Sequence, residues 1–234
     1  MINDSIDLAQ ARANLQRNGR VQIADYLQAQ AAERLYRCLA HEVPWTLALR
    51  DDAGARTVAN AQYAAMPEAQ RLEILQQVAD SARGGGYRFA YDSYMMVSAY
   101  KERRDPGLML HGVLELFNSP QYIAFVQAMT GDAGIRRVNA QATRYRAGHF
   151  LRYHTDAESQ EGRRHAYVLN LSREWNADWG GLLQFIDEDG RIVDTFLPRW
   201  NSLSLFEVPA GHAVSLVAPW ADGERLAITG WFLS

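Results

Sequence analysis

The stretch Gly148-His149-Phe150-Leu151-Arg152-Tyr153-His154-Thr155-Asp156 decides how this chain is read. Its apolar and polar residues alternate, the pattern of a half-buried strand. On a strand, side chains two apart leave the same face, so His154 and Asp156 point to one side. His149, an odd number of residues earlier, points to the other. A second imidazole, His212, follows the turn-forming Pro209-Ala210-Gly211 and completes a set. Two histidines and one carboxylate are the donors of non-haem Fe(II) sites that leave about three coordination positions open. His111 and His165 have no second ligand at strand spacing. His-x-Asp alone is a common tripeptide, so its weight comes from what lies downstream.

Thirteen residues beyond His212 comes Arg225-Leu226-Ala227-Ile228-Thr229-Gly230-Trp231-Phe232, again alternating. As a strand it puts Arg225, Ala227, Thr229 and Trp231 on one face. A guanidinium and a hydroxyl turned inward are costly to bury unless they meet an anion, and a dicarboxylate co-substrate supplies one. Tyr145, nine residues before His154, is expected on a neighbouring strand with its hydroxyl toward the same cavity. Asn170 interrupts the apolar run Val168-Leu169-Asn170-Leu171, and its buried amide needs a partner. A cross-strand hydrogen bond and a ligand contact would each supply one.

Outward from this centre, short alternating runs recur at 137–145, 148–156, 165–171, 182–186, 192–196, 202–206, 213–217 and 225–233. Asp189-Gly190 and Asp222-Gly223 mark turns among them. The first half reads differently. A short strand within 19–27 leads to a helix over 28–40, with Leu35, Cys38 and Leu39 on its buried side. After a polar loop, Pro67 opens a second helix that Gly84-Gly85-Gly86 stops. Ser119-Pro120 supplies an N-cap and a first helical residue for a third, ending near Met129. The expected fold class is mainly β (α+β): a double-stranded β-helix, or jelly-roll, barrel buttressed by N-terminal helices. One domain over 1–234 is expected, with 1–134 as mainly helical support and 135–234 as the jelly-roll core holding the metal site.

Composition narrows the classes. Apolar residues make up 48% of the 234, enough for a sizeable core, and the formal net charge of −3 argues against broad nucleic-acid binding. The single cysteine, Cys38, allows no intramolecular disulfide and fits a reducing compartment. No apolar leader and no long apolar run is present, so a cytoplasmic enzyme with no membrane partner is expected.

From about Tyr122 to Ser234 the chain resembles the prolyl-hydroxylase branch of the 2-oxoglutarate/Fe(II) dioxygenases, which includes the HIF prolyl hydroxylases and the fungal hydroxylases of a ribosomal-protein proline. The residues that carry the likeness are Arg152-Tyr153-His154-Thr155-Asp156, Leu171-Ser172-Arg173-Glu174-Trp175, Trp179-Gly180-Gly181-Leu182-Leu183, Pro198-Arg199-Trp200-Asn201-Ser202-Leu203, His212-Ala213-Val214 and the closing strand from Arg225. The resemblance implies Fe(II) on His154, Asp156 and His212, with 2-oxoglutarate and O2 as co-substrates. It implies that Arg225 pairs with the distal carboxylate of 2-oxoglutarate, that Tyr145 lies beside the co-substrate, and that Thr229 places a hydroxyl near it. Asn170 aligns where the HIF enzymes carry a tyrosine that helps bind that carboxylate. The implied activity is hydroxylation of a proline residue in a protein substrate, with succinate and CO2 as co-products.

Two alternatives stay open: a hydroxylase of a free amino acid or other small molecule, and a non-catalytic metal- or ligand-binding jelly-roll module. Candidate substrate walls are 91–104 and 157–164, whose pairs Arg103-Arg104 and Arg163-Arg164 also read as solvated loop charges.

Overall fold

In the computed structural model, which describes residues 1–157 and 162–234, the chain opens on a helix, α1 (Leu8–Asn18). The Asp7 side chain accepts from the Gln10 backbone N–H, and Gly19 ends the helix in the left-handed region at φ 67°. Sequence pattern conceals this helix, because its buried side holds only Ala11 and Leu15. β1 (Arg20–Ile23) and α2 (Ala29–His41) follow, then a hairpin, β2 (Thr46–Asp51) and β3 (Gly54–Ala59). Next come α3 (Asn60–Ala65), α4 (Glu68–Arg83), β4 (Phe89–Tyr94), α5 (Met96–Lys101), α6 (Leu110–Phe117) and α7 (Pro120–Thr130). α7 starts where the sequence predicts: Ser119 Oγ accepts from the Tyr122 N–H and Pro120 takes the first helical position. The remaining strands are β5 (Arg137–Val138), β6 (Gln141–Tyr145), β7 (Phe150–His154), β8 (Arg163–Asn170), β9 (Leu183–Ile186), β10 (Ile192–Phe196), β11 (Ser202–Glu207), β12 (His212–Val214) and β13 (Arg225–Leu233).

These strands form one curled sheet in the order β1-β11-β8-β13-β6-β4-β7-β12-β9-β10. The two ends of that order meet through side chains. Arg20 Nε lies 2.7 Å from Asp194 Oδ2, and Gln22 Nε2 donates to the Leu197 carbonyl at 2.9 Å. The result is the nearly closed jelly-roll barrel. The first half contributes more than helical support. β4 pairs with β6 through Asp92↔Arg144 and with β7 through Ala90↔Phe150, so it separates the strand of Tyr145 from that of His154. The hairpin occupies the stretch expected as a polar loop. β3 is mostly exposed and shows no alternation, while Leu47 and Leu49 of β2 pack with Val78 of α4 and with Phe150.

β8 explains why the barrel reads as apolar on both sides. Tyr167 and Leu169 face the helices, against Leu35, Leu39, Phe117 and Val126. Ala166 and Val168 face inward, against Phe185, Phe206 and Ala227. Each large apolar side chain buried there stabilises the fold by roughly 1.5–3 kcal/mol relative to exposure. Cys38 belongs to the helical layer. Burial, with Glu42 nearby, pushes its thiol up to about 12, which makes it a packing residue and a poor nucleophile. Among the described residues, no helix is long and apolar enough to cross a membrane.

A polar cluster holds β4, β6 and the turn before β7 together. Asp92 is fully buried and accepts from Arg144 Nε at 2.9 Å and Arg146 Nη2 at 3.2 Å. His149 is 2% exposed, and its Nδ1 accepts from the Arg146 N–H at 3.2 Å, a bond that a charged imidazole cannot make. Burial pushes His149 down to about 4, against a smaller upward pull from Asp92. The unfolded chain therefore takes up this proton first as the pH falls. The stabilisation is complete above the ordinary value near 6.5 and is lost progressively between there and about 4, by an amount on the order of 3 kcal/mol. In urea titrations of His149→Gln, the fall in stability between pH 6.5 and 4.5 should be shallower by up to one proton than in the parent. Equal slopes would place the titration elsewhere.

Candidate metal centre

His154 ends β7 and His212 begins β12, and the two strands pair with these residues opposite each other. Their rings lie 4.1 Å apart between centroids. Asp156 joins them by a route that strand alternation does not describe. The strand stops at His154, and Asp156 sits in the following bend in the left-handed region, at φ 60°. His154 Nε2 is 3.5 Å from Asp156 Oδ1, and His212 Nε2 is 3.7 Å from Asp156 Oδ2. Among the described residues these three form a group whose ligand atoms all lie within 4.8 Å of one another.

The tautomers follow from the outer nitrogens. His154 Nδ1 is 3.0 Å from the Arg152 carbonyl, and His212 Nδ1 is 2.8 Å from the Ala210 carbonyl. A carbonyl oxygen only accepts, so both Nδ1 atoms carry hydrogen and both Nε2 atoms present bare lone pairs to the carboxylate. Burial lowers the pKa of both rings. His212 is pushed down to about 4, by burial first and then by His154. Both imidazoles are neutral at pH 7, as metal ligation requires. Lone pairs converging with no hydrogen between them repel, and a divalent cation placed among them reverses the sign. Imidazole, imidazole and carboxylate on one face fit Fe(II).

Asp156 is held from outside. Trp231 Nε1 donates to Oδ2 at 2.9 Å, and Arg163 Nη1 lies 3.4 Å from Oδ1. The Arg163 guanidinium also lies over the Trp231 ring, 3.7 Å from its centroid.

Arg225 opens β13 opposite Tyr145 of β6 and is 3% exposed. Its Nε and Nη1 are buried without a hydrogen-bond partner among the described residues, and burial pushes the guanidinium below its ordinary value. The Tyr145 ring lies 4.9 Å from the guanidinium carbon. Tyr145 is itself stacked on Tyr91 at 5.2 Å and 15°. An unpaired buried guanidinium costs several kcal/mol, which a bidentate carboxylate offsets. Gly180 and Gly181 shape this wall. Both have positive φ, of 70° and 63°, and a Cβ on Gly180 would collide with the Leu216 carbonyl.

Arg225, Tyr145, Thr229, Trp231, the three candidate ligands and Arg163 line one cavity of about 740 Å³. Gln141, Thr143, Tyr87, Tyr91 and Tyr153 also line it. The structure does not bring Asn170 to that wall. Its Nδ2 lies within 3.4 Å of Ser202 Oγ and 3.3 Å of Ser204 Oγ across the strand pair, and its Oδ1 is buried without a partner among the described residues. Of the expected substrate walls, Tyr91, Ala157 and Arg163 reach the cavity. Arg164 pairs with Asp132, Arg104 pairs with Glu102 on the surface, and 158–161 lie outside the described residues. Tyr87, in the aromatic run 87–91 just before the expected wall, also reaches the cavity. It follows the three glycines that end α4, and its ring centroid is 5.1 Å from that of His154.

Residues 140–233 match the family model of the 2OG-Fe(II) oxygenase superfamily. The cofactor and co-substrates of that family are Fe(II), 2-oxoglutarate and O2. Among curated proteins the chain is similar to prolyl 3-hydroxylase OGFOD1 of Xenopus laevis, 45% identical over 80 residues that cover 31% of this chain and 15% of that protein. It is 31% identical over 139 residues to prolyl 3-hydroxylase OGFOD1 of Mus musculus, covering 56% and 24%. The chain thus spans about a quarter or less of the length of these relatives. Among solved structures, a 2OG-Fe(II) oxygenase family oxidoreductase of Burkholderia pseudomallei matches with a TM-score of 0.62 at 17% identity, covering 99% of this chain and 92% of that one. That is a likeness of fold.

Proposed function

We propose, because residues 140–233 match the 2OG-Fe(II) oxygenase family model and the metal-site geometry fits it, that the protein is a 2-oxoglutarate-dependent oxygenase that hydroxylates a proline residue of a protein or peptide substrate. The observation that carries the oxygenase half is the single cavity shared by the bare Nε2 atoms of His154 and His212, the Asp156 carboxylate and the Arg225 guanidinium, whose Nε and Nη1 have no partner among the described residues. The prolyl half is supported by the relatives, which are named prolyl 3-hydroxylases.

In this reading His154, Asp156 and His212 would hold Fe(II), while Arg225, Tyr145 and Thr229 would hold 2-oxoglutarate. Iron bound there supplies the oxidative decarboxylation of 2-oxoglutarate by O2 to succinate and CO2, with the second oxygen atom inserted into a C–H bond. The rest is done by the chain. Arg225 keeps its charge across physiological pH, so co-substrate binding does not titrate there. Trp231 fixes one carboxylate oxygen of Asp156, and with it the side the carboxylate presents. Tyr87 and Tyr153, 38% and 45% exposed, flank the cavity with ring faces that would receive a pyrrolidine and its flanking peptide. A reducing cytoplasmic setting suits both Fe(II) and the unpaired Cys38.

The test is succinate formation with Fe(II), 2-oxoglutarate and O2, followed by mass spectrometry of proline-containing peptides for one added oxygen atom. Iron-dependent succinate together with an oxidised proline is expected. No succinate under any iron condition would end the oxygenase reading. Succinate with oxidation confined to a free amino acid would replace the protein substrate by a small one.

A further inference from the structure

We infer that Thr143 is the second anchor for the distal carboxylate of 2-oxoglutarate, beside Arg225. This rests on the oxygenase reading above and assigns a residue that the sequence pattern did not single out. Thr143 is 2% exposed, its Oγ1 is buried with no hydrogen-bond partner among the described residues, and it lines the same cavity as Arg225. On the β6–β13 pair Tyr145 is opposite Arg225 and Thr143 is opposite Ala227. Thr143 is therefore the diagonal same-face neighbour of Arg225, within reach of one shared ligand.

Donor chemistry decides what that ligand is. Arg225 Nε and Nη1 can only donate, so they cannot satisfy each other or be satisfied by an N–H of the wall. A carboxylate accepts from both the fork and a hydroxyl, and a hydroxyl donating to it makes a short charge-assisted bond. Asn170, aligned with the tyrosine expected to help here, has its amide nitrogen turned to Ser202 and Ser204. The neighbouring strand β6 supplies the hydroxyl in its place. A purely structural Thr143, present for its β-branched shape on a strand, would be replaced by valine without consequence.

The experiment is calorimetric titration of the Mn(II)-loaded protein with 2-oxoglutarate and, separately, with oxalate, which has a chelating head and no distal carboxylate. Thr143→Val should weaken 2-oxoglutarate roughly tenfold to a hundredfold, the range for a hydrogen bond to a charged group. Oxalate affinity should stay unchanged. Thr143→Ser should bind 2-oxoglutarate near the parent level. The melting temperature of metal-free Thr143→Val should not fall, because the hydroxyl it removes has no protein partner. Equal affinity of Thr143→Val and parent for 2-oxoglutarate would overturn the assignment and leave the oxygenase reading standing. Equal weakening of both ligands would overturn it too, since the residue would then act on the metal or on the wall as a whole. A parent protein that takes up Mn(II) and binds no 2-oxoglutarate would instead overturn the reading beneath it.

Discussion

Arg225→Met is expected to lose 2-oxoglutarate while gaining stability. Truncating one partner of a buried, hydrogen-bonded charge pair costs roughly 2–5 kcal/mol, so the 2-oxoglutarate requirement should rise by about 30-fold to several thousand-fold. The protein without co-substrate should respond in the opposite direction. Arg225 Nε and Nη1 are buried and unpartnered, and methionine keeps most of the volume without the charge. Replacing buried charge by a well-packed apolar side chain is often neutral or stabilising, by roughly 1–4 kcal/mol. Thermal melts with and without saturating 2-oxoglutarate check both arms. The parent should be raised by the co-substrate, by about 2.7 kcal/mol at a hundredfold excess over Kd, and the variant should not. Arg225→Lys should recover only part of the affinity, because an ammonium is a point charge without the planar fork. An unchanged 2-oxoglutarate dependence in Arg225→Met would remove this residue from co-substrate binding.

His154→Ala should abolish iron-dependent succinate formation and leave the fold in place. The ring makes one hydrogen bond, from Nδ1 to the Arg152 carbonyl, and packs against Tyr87 and His212. Loss of a ligand should cost more than the roughly 10–100-fold that changes behind the ligands cost. Direct metal titration separates this from a folding defect. The variant should bind Fe(II) or Mn(II) far more weakly while its circular dichroism and 2-oxoglutarate-free melting stay near the parent. Retained turnover in His154→Ala would put the iron somewhere other than this cavity.

Much of the site was legible because its signals are local. His154 and His212 stand on strands with turn residues around them, and the face shared by Arg225, Thr229 and Trp231 follows from period-two alternation alone. Thr143 was within reach of the same reasoning, since it is two residues from Tyr145 and so on its face. Asp156 was assigned to the correct side for an incomplete reason, because a left-handed bend after the strand delivers it. α1 and the β2–β3 hairpin were missed because α1 buries only Ala11 and Leu15, β3 is mostly exposed, and β2 buries Leu47, Ala48 and Leu49 as a run without alternation.

By itself, the order of residues determined most element types of the second half and the barrel class, because these follow from neighbours one or two residues away, and it singled out His154, Asp156, His212 and Arg225 as candidates. Tertiary structure alone decided that β4 lies between the strands of Tyr145 and His154, and that Asn170 spends its amide nitrogen on Ser202 and Ser204 while Thr143 and Arg225 keep unpartnered atoms in the cavity. Those outcomes turn on which strand pairs with which across the sheet. A polar side chain's partner on another strand is set by register between segments far apart in the chain, and no local pattern encodes it.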